Sequence, residues 1–157
     1  MSHIARISCT ALVMFGLGLS ASQAGKAQTA GRKYIYPKDQ SYKSLPFSEA
    51  VLVGDTLYVA GHIGTDPKSG QAPADLNQEM KLLFDGIRAD MAEANFTMDD
   101  MVSVRVYATD LALYDKFNAA YRAQFAKDMP ARAFIGVASL LRGGHFEMEG
   151  VAAKGRG

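Results

Sequence analysis

Two amphipathic stretches, each set between β-like runs, restrict what this chain can fold into. From Leu76 onward the apolar residues Met80, Leu83, Phe84, Ile87 and Met91 recur at spacings of three and four. That places them on one face of a helix. Asp75 stands where an N-cap belongs, and the helix is predicted to run to about Asn95 with a charged opposite face. A second stripe, Tyr114, Phe117, Tyr121 and Phe125, predicts a helix over about Leu113 to Ala126, capped by Asp110. Between the two lies the β-branched run Met101 to Ala108. Its alternation predicts Val102, Val104 and Val106 on one side and Ser103, Arg105 and Tyr107 on the other.

The order is strands, helix, strand, helix, two strands, which predicts an α+β domain. Each helix is long enough to be a crossover between parallel strands, right-handed by default. Two helices cover only one face of such a sheet. Several strands are nonetheless apolar on both faces: Leu52 opposes Val51 and Val53, and Ile135 and Val137 oppose Phe134 and Ala138. A second cover is therefore expected, and a homo-oligomer is the simplest one.

Ahead of the first helix, Lys33 to Tyr36 reads as a short strand ended by Pro37. Ala50 to Val53 and Thr56 to Ala60, joined by Gly54-Asp55, read as a tight hairpin with a type II′ turn. The breaker-rich stretch Gly61 to Gly70 reads as loop. At the other end, Pro130 stops the second helix, and two strands follow, linked through the turn Arg142-Gly143-Gly144. Arg132 opens the apolar run Ala133 to Ala138, and Glu147 lies between Phe146 and Met148. A guanidinium in that setting must reach solvent or meet an anion. Two readings follow: a structural ion pair, or a small-molecule site built on rigid strands.

The first two dozen residues look like a targeting segment. Arg6 precedes an apolar run from about Ile7 to Leu19, too short for a stable span, and Ser22-Gln23-Ala24 offers small residues for cleavage. Residues 1–24 are thus read as a secretory signal, with an uncleaved anchor as the alternative. Residues 25–45 are read as tail and lead-in, and 46–154 as a single domain. The expected location is periplasmic or secreted, with no membrane attachment after cleavage. Lys and Arg total 17 against 16 Asp and Glu; the leader holds one Arg and no acid, so the remainder is formally neutral. Nucleic acid is not expected as a partner, because phosphate binding needs a basic footprint. Cys9, the single cysteine, leaves with the leader, so neither thiol chemistry nor a disulfide is expected afterwards.

Other chemistries find little support. His62 and His145, with Glu147 and Glu149, are not held at metal-ligand spacing, so no metal is expected. His62, beside Gly61, either lines a pocket or faces water. Glu149 shares a strand face with Glu147 and is expected to pair with an Arg or Lys. There is no Gly-x-Ser-x-Gly elbow and no Gly-rich phosphate loop.

An ordered set of short motifs adds to this reading: Leu57 to Gly64, Asp66-Pro67 with Gly70, Phe117-Asn118 with Tyr121 and Phe125, Pro130-Ala131-Arg132, and Phe146 to Glu149. The set resembles the Rid/YjgF family of reactive-intermediate (imine) deaminases, also labelled endoribonuclease L-PSP, over about Ser44 to Ala152. The resemblance implies a chorismate-mutase-like α+β fold, with a mixed six-stranded sheet and two helices on one face. It also implies a homotrimer with ligand sites between subunits. By the same resemblance Arg132 binds the substrate carboxylate, and Glu147, fifteen residues on, places or activates water. Gly61, His62, Asn118, Phe134 and Phe47 fall at positions that line the ligand site. A 2-imino acid hydrolysed to a 2-keto acid and ammonia is then the implied substrate, with no cofactor required. The chain departs from the family at Ala60, His62, Phe47 and Phe134, where Ser, Gln, Tyr and Cys are frequent. The altered pocket and the leader suggest the alternative of a non-catalytic carboxylate binder or chaperone-like trimer. The ribonuclease activity attached to some family names sits poorly with a neutral chain.

Overall fold

The computed structural model describes residues 31–36 and 45–155. The leader, most of the tail and the predicted cleavage site lie outside the described residues. Among the described residues, six strands form one sheet in the order β1-β2-β3-β6-β4-β5. They are β1 (Arg32–Ile35), β2 (Ala50–Val53), β3 (Thr56–Ile63), β4 (Met101–Ala108), β5 (Ala131–Gly136) and β6 (Phe146–Ala153). All pairings are antiparallel except β4 with β5, which is parallel. Helices α1 (Leu76–Glu93) and α2 (Tyr114–Arg122) supply the crossovers.

Local chemistry explains most of the boundaries. Asp75 caps α1 by accepting from the Asn77 amide at 3.0 Å. The hairpin between β2 and β3 turns at Gly54, which takes φ +59°, as a Gly-first two-residue loop requires. The stripe Met80, Leu83, Phe84, Ile87 and Met91 is buried against Leu57, Val59, Val104, Val106, Phe146 and Met148 of the sheet. Each such side chain is worth about 2 kcal/mol of transfer free energy. Phe117 and Tyr121 of α2 join the same layer through ring contacts with Phe84. Both helices therefore cover one face. The other face carries Tyr58, Ser103, Arg105, Tyr107, Glu147 and Glu149, with Tyr58 52% exposed.

The structure corrects four local expectations. First, Gly61, His62 and Ile63 belong to β3 rather than to a loop. The partner strand β6 pairs His62 with Met148 and Ile63 with Glu147, so non-local hydrogen bonds outweigh the local breaker signal. Second, α2 is shorter than its stripe. Asp110 caps a 3-10 turn, Leu111–Leu113, ahead of it. Beyond its end, the Ala126 amide donates to the Asp99 carboxylate at 2.8 Å, which draws the chain off the helix axis. Third, a register shift between Met101 and Ser103 buries Met101 and turns Val102 outward, as a β-bulge does. Fourth, the charged face of α1 has an exception. Glu79 is 0% exposed and accepts hydrogen bonds from the amides of His145 (2.6 Å) and Phe146 (3.0 Å). Its other oxygen meets His145 Nδ1 at 2.7 Å, so one carboxylate ties α1 to the start of β6.

Candidate functional site

Arg132 lies on β5 opposite Val104, and Phe134 lies opposite Val106. Directly paired residues share a face, so both side chains stand on the helix-covered side. There the guanidinium is held from two directions. It donates from Nη2 to Asn118 Oδ1 at 2.6 Å, and its carbon sits 4.5 Å from the Tyr121 ring centre. Tyr114 and Phe134 flank it at 5.6 and 5.7 Å, close enough for cation–π attraction. Among the described residues no carboxylate pairs with Arg132. Asn118 occupies one of five N–H donors, which leaves the fork able to take a ligand carboxylate.

A cavity of about 190 Å³ opens beside it, lined by Tyr114, Asn118, Tyr121, Arg122, Met129, Pro130 and Arg132. That is well below the roughly 300 Å³ at which pockets for drug-sized molecules begin, and it suits a small organic acid. The Tyr121 hydroxyl is buried without a hydrogen-bond partner among the described residues. Burial pushes its phenol up to about 12, against the opposing pull of Arg132, so it stays a neutral donor.

Glu147 lies on the opposite face. It pairs with Tyr107, and Glu149, two residues on, pairs with Arg105; Glu149 accepts from Arg105 at 2.8 Å and from the Tyr107 hydroxyl at 3.1 Å. Glu149 thus has the cationic partner expected of it. The Glu147 carboxylate extends over Gly61, where a Cβ would come within 2.0 Å of Oε1. Gly61 is therefore the residue that gives this carboxylate its place. Burial holds the Glu147 carboxyl above the usual carboxylate range, and the Glu149 charge pushes the same way, with His62 opposing. Such a carboxyl is suited to exchange a proton with water.

The remaining positions divide. Asn118 and Phe134 are gathered with Arg132, Asn118 as its hydrogen-bond acceptor and Phe134 in an edge contact with Tyr114. Phe47 is exposed in the lead-in to β2 and lines neither the Arg132 cavity nor a second, open-face cavity around Tyr58, Arg105 and Glu149. His62 is not brought to the Arg132 cavity either. A register shift between Val59 and His62 inserts one residue into β3 and turns the ring to the helix side. There Nε2 lies 2.6 Å from Asp90 Oδ2 and 3.6 Å from Glu49 Oε2, and Nδ1 lies 2.9 Å from the Ala60 carbonyl. Burial, the largest influence, drives the ring toward neutrality. Asp90, the Ala60 carbonyl and Glu49 together outweigh it and hold the proton above the usual histidine range. Glu49, Asp90 and Glu79 escaped sequence reasoning because each lies far along the chain from its partner and matches no motif.

Comparison with known proteins agrees with this architecture. The family model described as Endoribonuclease L-PSP matches residues 39–154. The 2-iminobutanoate/2-iminopropanoate deaminase of Bos taurus is 35% identical over 111 residues, covering 70% of this chain and 81% of that protein. Among solved structures, a Rid-family protein of Yersinia pestis, YyfA, described as of unknown function, superposes with a TM-score of 0.72 at 25% identity, covering 79% of this chain and 100% of that one. E. coli TdcF with bound serine gives a TM-score of 0.66 at 25% identity, covering 71% of this chain and 90% of that one. With the mixed sheet, the two helices and the ordered motifs in place, the chain belongs to the Rid/YjgF (endoribonuclease L-PSP) family.

Proposed function

We propose that this protein is an imine deaminase that hydrolyses small 2-imino acids to 2-keto acids and ammonia. The observation that carries the reading is the Arg132 fork, braced by Asn118 and Tyr121, at the edge of a cavity sized for a small acid. Relatives named as imine deaminases support the activity at the level of the family. The substrate carboxylate docks on Arg132 bidentately, which fixes the C=N carbon for attack and removes part of the entropic barrier. Water attacks that carbon as Glu147 accepts its proton, forming the C–O bond of a carbinolamine. Glu147 passes that proton to nitrogen to complete the carbinolamine, then moves the hydroxyl proton to the same nitrogen, so that the C–N bond breaks as the C=O bond forms and ammonia leaves with the 2-keto acid. Atoms and charge balance with water as the only co-reactant.

Arg132 and Glu147 of one chain face opposite ways, so one chain does not hold both on one ligand. The proposed site is therefore composite: Arg132 of one copy and Glu147 of the next, in a homotrimer whose contacts cover the open face of the sheet. This accounts for that face being built of Tyr58, Val151 and their neighbours rather than of charge alone.

The test is ammonia release from a freshly generated 2-imino acid. Wild-type protein is expected to accelerate it, while Arg132→Ala and Glu147→Ala abolish the acceleration and leave the oligomer intact. Wild-type protein that binds a 2-keto acid without speeding release would identify a carboxylate binder instead.

A further inference from the structure

We infer that Glu49, His62 and Asp90 form a binding site for a divalent first-row transition ion, set apart from the Arg132 cavity. The three come from the lead-in to β2, from β3 and from α1, so three separately anchored elements converge on one point. One ligand atom from each lies within 4.8 Å of the others. Around a tetrahedral ion with bonds of about 2.1 Å, neighbouring ligand atoms stand about 3.4 Å apart. The Nε2 separations of 2.6 and 3.6 Å bracket that value, and each lies within an ångström of it.

The histidine is prepared as a ligand. Nδ1–H donates to the Ala60 carbonyl at 2.9 Å, which fixes the ring and directs Nε2 at the two carboxylates. A backbone carbonyl on the far nitrogen is how metal-binding imidazoles are ordinarily oriented. Two further features bring the ring here. The bulge turns His62 inward, and Gly86 of α1 clears its path, since a Cβ there would stand 3.2 Å from Cδ2. The side chains remain 11%, 19% and 15% exposed for His62, Glu49 and Asp90, which leaves an approach for the ion and for water in its remaining positions.

Charge points the same way. Two carboxylates converge on one imidazole nitrogen. A divalent ion bound by the neutral imidazole and both carboxylates forms a neutral set. One imidazole with two carboxylates suits zinc, manganese or iron better than magnesium, which prefers oxygen ligands and retained water.

The experiment uses the full-length protein after dialysis against a chelator, titrated with Zn²⁺ by calorimetry and with Co²⁺ by visible absorption. One ion per chain is expected, with 1 mM Mg²⁺ failing to compete. His62→Gln and Asp90→Asn keep polar side chains of similar shape and are expected to weaken binding at least tenfold with unchanged circular dichroism. Should either variant fold poorly, the wild-type histidine NMR signals decide: Zn²⁺ must move the His62 ring and spare His145. Absence of binding, unchanged affinity in a folded His62→Gln protein, or shifts confined to another histidine would each overturn the assignment.

Discussion

Arg132 and Glu147 stand on opposite faces of one sheet with β4 between their strands: Arg132 beside Val104, Glu147 beside Tyr107. Alternation along β4 makes this unavoidable, since Val104 and Tyr107 differ by an odd number of residues. A guanidinium and a carboxylate arranged this way meet on one ligand only across a contact between copies.

That arrangement predicts complementation. Arg132→Ala and Glu147→Ala proteins, each inactive alone, are expected to regain activity when co-assembled. In the proposed site Arg132 comes from one copy and Glu147 from the next, so random mixing is expected to restore about a quarter of wild-type activity. Persistent inactivity of verified mixed oligomers would place both residues in a site drawn from one chain.

Proton exchange at Glu147 predicts an acid limb in the rate profile. In the proposed mechanism the working form is the carboxylate, so activity is expected to hold above its folded-state pKa and to be lost as pH falls through it. Burial raises that pKa, and the limb is expected above the ordinary glutamate range. Glu149→Gln removes the second contribution, a like charge, and moves the limb to lower pH without erasing it. A limb that stays put in Glu149→Gln would separate Glu147 from the titrating step.

Gly61→Ala tests the seat of that carboxylate. A methyl group there would fall 2.0 Å from Oε1, and the flexible end of Glu147 moves aside at little cost to folding. A displacement of about 1 Å at a reacting group costs about 100-fold in rate. The expected result is a large fall in kcat with KM and Tm nearly preserved.

Glu79 is a matter of stability rather than chemistry. Its removal strips the acceptor from the His145 and Phe146 amides. Glu79→Ala is expected to lose about 3 kcal/mol or more in urea unfolding, since each buried donor left unpaired costs about 1–3 kcal/mol. Glu79→Gln keeps one acceptor oxygen and is expected to lose about half as much.

Much of the architecture was already written in short-range pattern. The Asp75 cap, the α1 stripe, the Gly54 hairpin and the β4-α2-β5 crossover depend on residues within a few positions of one another, and capping, helical period and turn chemistry act at that range. The ordered motifs likewise marked Arg132 with Asn118, which the structure joins by a hydrogen bond. Tertiary structure decided what pairing controls. Strand β6 inserts between β3 and β4, and the extra residue it accommodates in β3 reverses the side on which His62 emerges. Alternation read along β3 alone would keep His62 with Tyr58; one unpaired residue sends it to Asp90 instead, 28 positions away. Local sequence sets period and propensity, whereas the face a side chain occupies depends on register, and register is settled only when distant strands meet.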